Sequence, residues 1–328
     1  MVSIVLILAL DGVSDGAVGI TLDVLGAAER IDALGLLPGR RRGRALEARV
    51  VSLDGRDVRT MSGRKLTVDG KATLRGRSRD DILVVPGLGL DIPSEIDAAL
   101  ESDEVARALD FIRRAVALGL TVAASCSATY LLAAAGVLDG GTATTTWWLA
   151  SDFTRRFPAV DVQVDSMVVT HRRVVTAGSA FAHADLMLTV LARARGPSMA
   201  RLVSRFLVVD DRPSQARYMI ATHLRADDAA VRRAERYVRE HIGDAVSVEE
   251  LARAAGTSGR TLARRLQKHL GTTPLRFIQR LRVERAVHLL ETTVESVDAV
   301  ASRVGYSDAA AFRRILRRET GRSPREFR

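Results

Sequence analysis

The chain has 328 residues, 47% of them apolar but only 4% aromatic, and its 49 Lys and Arg exceed its 39 Asp and Glu by ten. This length and apolar content allow two domains, each with a core of Leu, Val and Ala. The single cysteine, Cys126, excludes an internal disulfide and fits a cytoplasmic setting.

Val2 to Leu10 lacks the basic start and the small-residue cleavage site of a signal peptide. Its unbroken apolar run from Ile4 is that of a central parallel strand covered on both faces. Val18, Leu22, Leu25 and Ala28 give helical spacing over Val18 to Leu34. Arg40 to Arg44 reads as a solvated basic turn, with a second contact to a polyanion as the lesser alternative. Leu46 to Leu53 is the next strand, and a hairpin follows around Met61 to Val68. Asp81 to Val85 is a buried strand running into the tight turn Pro86-Gly87-Leu88-Gly89. One helix is expected over Ser94 to Leu118, then a buried strand over Thr121 to Ala124.

There the run Ala124-Ser125-Cys126-Ser127-Ala128 sets the cysteine between small residues, where a strand meets the helix Thr129 to Ala135. This is the pattern of a nucleophile elbow, with the thiol facing a helix N-terminus, a setting able to lower a thiol pKa. Thr121 to Leu138 approaches membrane-span length, but Ser125, Ser127, Thr129 and Gly136 interrupt it, so no transmembrane segment is expected.

The stretch Thr142 to Phe157 holds both tryptophans, Trp147 and Trp148. Short strands follow at Val162 to Val164, Met167 to Thr170 and Val174 to Thr176, then helices at Ser179 to Ala194 and Ser198 to Val208. Strands alternating with helices argue a parallel sheet covered on both faces, with ligands beyond the carboxyl ends of its strands. Asp210 to Asp228, with Pro213, is the interdomain stretch, hinged near Arg225 to Asp228. The expected division is a regulatory domain at 1–210, a linker at 211–228 and an all-α domain at 229–328.

The last third holds two units of one grammar, VSVEELARAAGTSGRTLARRLQKHLG and ESVDAVASRVGYSDAAAFRRILRRETG: a short amphipathic helix, a glycine turn, a Ser cap and an arginine-dense helix. In the first, Leu251, Ala252 and Ala255 share a face, Gly256 closes the helix and Ser258 caps the next. In the second, Val297, Val300 and Ala301 are the apolar part, with Gly305 at the turn and Ser307 at the cap. Leu262 and Leu266, then Phe312 and Leu316, sit four apart and pack each second helix onto its first. The opposite faces carry Arg260, Arg264, Arg265 and Lys268, then Arg313, Arg314, Arg317 and Arg318. Such faces suit phosphates and guanine edges. From Asp228 to Arg328, 21 Lys and Arg stand against 13 Asp and Glu, a balance of +8, so the basic charge is concentrated where these helices lie. A single arginine-rich helix is usually a solvated face; two, each behind a glycine turn and a cap, read as a tandem helix-turn-helix.

Ser258-x-Arg-Thr-Leu-x-Arg-Arg-Leu, Gly271-x-x-Pro274-x-x-Phe277, Leu281-Arg282-x-x-x-Ala286-x-x-Leu289-Leu290, Gly305-Tyr306-Ser307, Phe312-x-x-x-Leu316-Arg317-Arg318 and Gly321-x-Ser323-Pro324-x-x-Phe327-Arg328 resemble the DNA-binding domain of the AraC/XylS regulators. The resemblance implies two recognition helices in successive major grooves, joined by a long helix from Pro274 to Thr292. It puts Arg260, Ala263 and Arg264 at base-facing positions of the first recognition helix and Asp308, Ala311 and Arg314 at those of the second. Alanine offers at most a methyl contact to thymine, so the second helix reads fewer bases. The candidate DNA-contacting set is Ser258, Arg260, Ala263, Arg264, Lys268, Ser307, Asp308, Ala311, Arg314 and Arg318.

Over residues 2 to 215, Val84-Val85-Pro86-Gly87, Ser125-Cys126-Ser127-Ala128, the run from Leu131 to Gly140, Ala143-Thr144-Thr145-x-Trp147, Phe157-Pro158, Thr176-Ala177-Gly178 and Asp185-Leu186 resemble the ThiJ/PfpI superfamily. This is a flavodoxin-like domain related to class I glutamine amidotransferases, and the nearest resemblance is to GlxA-type bacterial regulators, which join it to an AraC-type domain. Two departures stand out. Thr146 occupies the place of a histidine before the tryptophan, and Ala17 the place of an acidic residue early in the first helix, for which Asp15 or Asp23 could substitute.

A cysteine nucleophile needs a base or a depressed pKa; His171 and His183 are the remaining candidate partners. Cys126 is therefore read first as lining a ligand pocket with Ser127, Gly87, Thr146 and Trp147, or as a redox sensor, then as an inert buried thiol, then as a nucleophile. The combined expectation is a sequence-specific DNA-binding regulator of transcription, acting on promoter DNA as a homodimer. Its first domain senses a small effector or mediates dimerisation, and RNA polymerase is a further partner. The alternative is a cysteine-dependent amidase, hydrolase or hydratase with an accessory DNA-binding domain. No cofactor is expected, and no His/Cys/carboxylate spacing suggests a metal site.

Overall fold

The structure, a computed structural model, describes residues 2–37, 45–210, 212, 214, 215, 218, 228–270 and 272–328. The basic turn at 40–44, most of the expected linker with its hinge at 225–227, and Gly271 lie outside the described residues, as do the side chains of Lys268 and His269. The chain divides into two compact units, Met1–Gln215 and Ala216–Arg328.

The first unit runs β1 (Val2–Leu8), α1 (Asp15–Ala33), β2 (Ala45–Ser52), β3 (Val58–Arg59), β4 (Lys65–Leu66), β5 (Gly70–Lys71), β6 (Ile82–Val85), α2 (Pro93–Leu100), α3 (Asp103–Ala117), β7 (Thr121–Ser125), α4 (Ala128–Ala134), β8 (Thr142–Ala143), α5 (Ala150–Arg156), β9 (Asp161–Val162), β10 (Val168–His171), β11 (Val174–Ala177), α6 (Ala182–Arg195) and α7 (Pro197–Phe206). The sheet order is β10-β11-β7-β6-β1-β2-β5. Every pairing in it is parallel except that of the edge strand β10 with β11. The fold is the flavodoxin-like sheet expected, with helices on both faces.

Alternate residues of each central strand enter opposite cores. Val5, Val84, Ala123 and Val175 pack with α1, α6 and α7, whereas Leu6, Leu83, Val85, Val122 and Ala124 pack with α3 and α4. Each Val or Leu so buried contributes about 1.5–3 kcal/mol.

Two sequence expectations change here. The single helix over Ser94 to Leu118 is two, because the Ser102 hydroxyl accepts from Val105 N and starts α3 afresh. The first unit also extends past residue 210: Ser214 and Gln215, expected in the linker, are seated in it.

The second unit comprises α8 (Ala229–Glu240), α9 (Val248–Ala254), α10 (Gly259–Leu270), α11 (Pro274–Thr292), α12 (Val297–Arg303) and α13 (Ala309–Thr320). The long helix α11 serves two cores. Phe277, Ile278 and Leu281 close the core of α8, α9 and α10, whereas Val283, Ala286, Leu289 and Leu290 close that of α12 and α13. This explains why α11 carries apolar residues on more than one side, unlike a surface helix with a single stripe.

Candidate nucleic-acid interface and thiol pocket

Each helix-turn-helix is built around a glycine turn at positive φ, +67° at Gly256 and +83° at Gly305. In both, an arginine from the preceding long helix holds the turn. Arg233 of α8 donates through Nε and Nη2 to Ala255 O at 3.1 and 2.6 Å. Arg282 of α11 donates to Gly305 O at 3.2 Å and to Asp244 O, with its guanidinium 5.5 Å from the Tyr306 ring centre. Desolvation lowers the Arg282 pKa. The repeat is thus three helices long, α8–α10 and α11–α13. Of these first helices, α11 was expected only as a joining helix and α8 was not expected at all, although Arg233 and Arg282 stand at equivalent places before the two turns.

Leu262, Leu266, Phe312 and Leu316 are fully buried, as their spacing required. On α10 the outward face carries exposed Arg260 and Arg264 with half-buried Ala263. Ser258 caps the helix, its hydroxyl accepting from Thr261 N at 3.3 Å. Arg265 belongs elsewhere: it makes two 3.0 Å contacts to Asp228, the carboxylate that caps α8.

On α13 the expected cap at Ser307 is corrected. Asp308 is the N-cap, its carboxylate accepting from Ala310 N at 2.8 Å, and Ser307 lies exposed outside the helix. A carboxylate accepts the same backbone bond with added charge at the positive helix end. The outward arginines of α13 are more engaged than those of α10. Arg313 pairs with Asp298 at 2.6 Å, Arg314 approaches Asp308 at 4.0 Å, and Arg318 meets Glu319 at 2.9 Å and Gln279 at 3.0 Å. Glu319 is itself buried, with Arg276 and Arg280 of α11 about it at 4.0 and 3.9 Å. Ala311 is half-buried on this face, and Arg317 is exposed.

In the first unit, Cys126 sits at the carboxyl end of β7 with φ of +55°, a left-handed backbone rare outside glycine. Its amide donates to Gly178 O at 2.7 Å and Ala177 O at 3.1 Å, fixing the elbow on β11. A Cβ at Gly87 would come within 3.1 Å of Cys126 Cβ and 3.3 Å of Ser125 O, so a larger residue here would press on the elbow by a few tenths of an ångström. The Ser127 hydroxyl donates to Leu88 O at 2.7 Å and accepts from Leu88 N at 3.0 Å, tying the two turns together.

The thiol is shielded, and burial pushes its pKa up, overriding the Ser127 amide and the Thr146 hydroxyl that act the other way. The expectation that the helix N-terminus lowers this pKa therefore fails on desolvation. Thr146 Oγ1, fully buried, has no hydrogen-bond partner of ordinary geometry. Beside it, Trp147 is buried and packs edge-on against Trp148 at 5.2 Å.

Neither candidate histidine meets the thiol. His183, buried and with its pKa pushed down to about 3 by desolvation, joins Ser125 Oγ at 2.8 Å to Thr21 Oγ1 at 2.7 Å. His171 packs over Gly141 instead, where an added Cβ would meet its ring at 2.7 Å. Ala17 is buried in the first turn of α1, Asp15 accepts from the Ser62 hydroxyl, and Asp23 is on the solvent side. Among the described residues, no group of three or more His, Cys, Asp and Glu is placed to hold a metal ion, and no helix is long and apolar enough to cross a membrane.

Comparison with known proteins matches residues 3–193 to the DJ-1/PfpI family and residues 251–328 to a helix-turn-helix domain. The chain belongs to the DJ-1/PfpI family. With the AraC-type domain joined to it, the protein is a DNA-binding regulator. It is 29% identical over 282 residues to the HTH-type transcriptional regulator CdhR of Pseudomonas aeruginosa, covering 85% of this chain and 80% of that protein. It is 26% identical over 281 residues to the HTH-type transcriptional regulator GbdR of the same species, covering 85% and 73%. The DJ-1/PfpI fold superposes on Drosophila melanogaster DJ-1beta with a TM-score of 0.51 and 20% identity, over 64% of this chain and all of that one.

Proposed function

We propose that this protein is a one-component regulator in which the first unit, residues 1–215, senses a small metabolite at the Cys126 pocket and the domain at 229–328, across the linker, reads promoter DNA. The observation that carries the sensing role is the Thr146 hydroxyl, buried beside an un-ionised thiol with no hydrogen-bond partner of ordinary geometry, at the ligand-binding end of a parallel sheet. A buried polar atom left without a partner is unfavourable by about 1–3 kcal/mol, and a ligand oxygen or nitrogen there removes that penalty. Gly87 and Trp147 complete the pocket, while Ser127 holds its walls together.

On the DNA side, Ser258, Arg260, Ala263 and Arg264 form the principal reading face, with Lys268 at its far end. Ser307, Asp308, Ala311, Arg314 and Arg318 form the second. A homodimer on a paired site in the cytoplasm, in contact with RNA polymerase, completes the reading. Cysteine hydrolase or hydratase chemistry gains no support: among the described residues neither His171 nor His183 meets Cys126, and burial raises its pKa.

The test uses full-length protein and a duplex selected from random DNA. Alkylation of Cys126 by iodoacetamide is followed against pH, and the DNA affinity of the alkylated protein is then measured. The expected thiol titrates above the ordinary value of about 8.5, and its alkylation shifts DNA affinity at least severalfold. A thiolate at neutral pH would restore the enzyme reading, and unchanged DNA affinity would remove the sensing one.

A further inference from the structure

The chain leaves the first unit through a residue that the function above does not use. Gln215 is 1% exposed, although its neighbours on either side belong to the expected linker. Its Nε2 donates to Val164 O at 2.7 Å, Thr145 O at 3.0 Å and Thr144 Oγ1 at 3.3 Å. Its Oε1 accepts from Ser179 N at 3.2 Å and the Ser179 hydroxyl at 3.4 Å. The backbone follows the side chain in, with Gln215 N and the Ser214 hydroxyl both donating to Asp165 O, at 2.9 and 2.7 Å. Gly178 makes the room: any Cβ there would overlap the Gln215 carboxamide.

These contacts are the back wall of the thiol pocket. Gly178 O receives the Cys126 amide, Thr145 Oγ1 donates to Cys126 O at 3.4 Å, and Thr145 is bonded directly to Thr146 along the chain. The proposed site is also enclosed, with Thr146 fully buried and Cys126 and Trp147 each 7% exposed. A ligand reaching Thr146 must therefore displace the Thr144–Thr146 segment, which supplies two of the three acceptors of Gln215.

We propose that Gln215 is a latch that holds the linker to the first unit while the pocket is empty and lets go when the pocket fills. Occupation and latching compete for one segment, so each weakens the other by the same factor. The inference rests on the Cys126–Thr146 pocket being the sensing site and assigns the linker as its output.

The test needs no DNA and no knowledge of the effector. Full-length wild type, Gln215→Ala and Gln215→Glu are treated with iodoacetamide. The glutamate keeps the side chain's volume but loses its donors. The expected result is alkylation of Cys126 about tenfold faster in both variants. Reciprocally, alkylated wild type should be cut by trypsin at Arg217 about tenfold faster than unmodified wild type. Hydrogen exchange should rise in residues 142–147, 163–166 and 176–179 and stay level elsewhere in the first unit.

Unchanged alkylation in both variants, or unchanged cleavage after alkylation, overturns the latch. So does a uniform rise in exchange across the unit, which makes Gln215 a general stabiliser. If the latch behaves as described while alkylation leaves DNA affinity unchanged, the sensing reading fails and the latch stands.

Discussion

The two helix-turn-helix units share their construction and differ in their electrostatics. Each has a glycine turn held by an arginine from the preceding helix, a buried pair of apolar residues four apart and an arginine-rich outer face. In the first, the cap is a neutral serine, and Arg260 and Arg264 stand exposed without a carboxylate partner among the described residues. In the second, the cap is Asp308, and Arg313, Arg314 and Arg318 each have a carboxylate near. An arginine must leave its carboxylate before it can bond a base or phosphate, so an engaged guanidinium gains less from DNA than a free one. On the proposed DNA-binding reading, one backbone plan would then carry a strong reader and a weaker anchor.

The largest effect should come from the exposed pair. Arg260→Ala and Arg264→Ala should each lower affinity for the selected site by about 1–3 kcal/mol and relax base preference there. Arg313→Ala and Arg317→Ala, outside the base-facing positions, should weaken binding evenly across sequences and flatten the dependence of log affinity on log salt by about one unit per residue. Anisotropy titrations on the selected duplex and on single-base variants, at several salt concentrations, separate these outcomes. Equal loss and equal change of preference in both pairs would abolish the distinction between reader and anchor.

Next in size is the arginine behind each turn. Arg282 serves two carbonyls and a tyrosine ring, whereas Arg233 serves a single carbonyl. A hydrogen bond from a charged donor contributes about 1.5–3 kcal/mol, so Arg282→Ala, which loses two such carbonyl partners, should destabilise the second unit more than Arg233→Ala does the first. Urea unfolding of the full chain, followed by hydrogen exchange in α12 and in α9, reads the two separately. A larger loss at Arg233 would mean that the turns are held differently from the geometry described.

Much of this plan was legible in the residues. The apolar run from Ile4 and the helical spacing of α1 follow from local pattern, the cysteine elbow follows from its small neighbours, and the long α11 from Pro274 to Thr292 follows from the family resemblance. What was not legible depends on partners distant in sequence. Nothing near Cys126 tells that burial outweighs a helix N-terminus. Nothing near Gln215 tells that its carboxamide meets residues 36 to 71 positions away. The break at Ser102 was readable, since a serine followed by Asp103 and Glu104 is a helix start, but the apolar spacing across it masked the signal. Asp308 was misassigned for a related reason: Ser307 and Asp308 are both good caps, and only the backbone decides between them.

The smallest effect tests the caps themselves. Asparagine caps a helix about as well as aspartate, so Asp308→Asn should leave the second unit's stability within a few tenths of a kcal/mol, the loss being the favourable meeting of a carboxylate with the helix end. It also removes a negative charge from the proposed DNA-binding face and frees Arg314 from its neighbour. At ordinary salt, exposed charges interact weakly over such distances, on the order of 0.5 kcal/mol, so affinity should rise about two- to threefold. Ser258→Asp in the first unit is the converse. The new carboxylate still accepts from Thr261 N, folding is preserved, and affinity should fall by a similar factor as Arg260 and Arg264 acquire the kind of neighbour that Arg314 already has. If neither exchange moves affinity, the acidic cap is electrically silent, and the weakness of the second helix comes from its alanines alone.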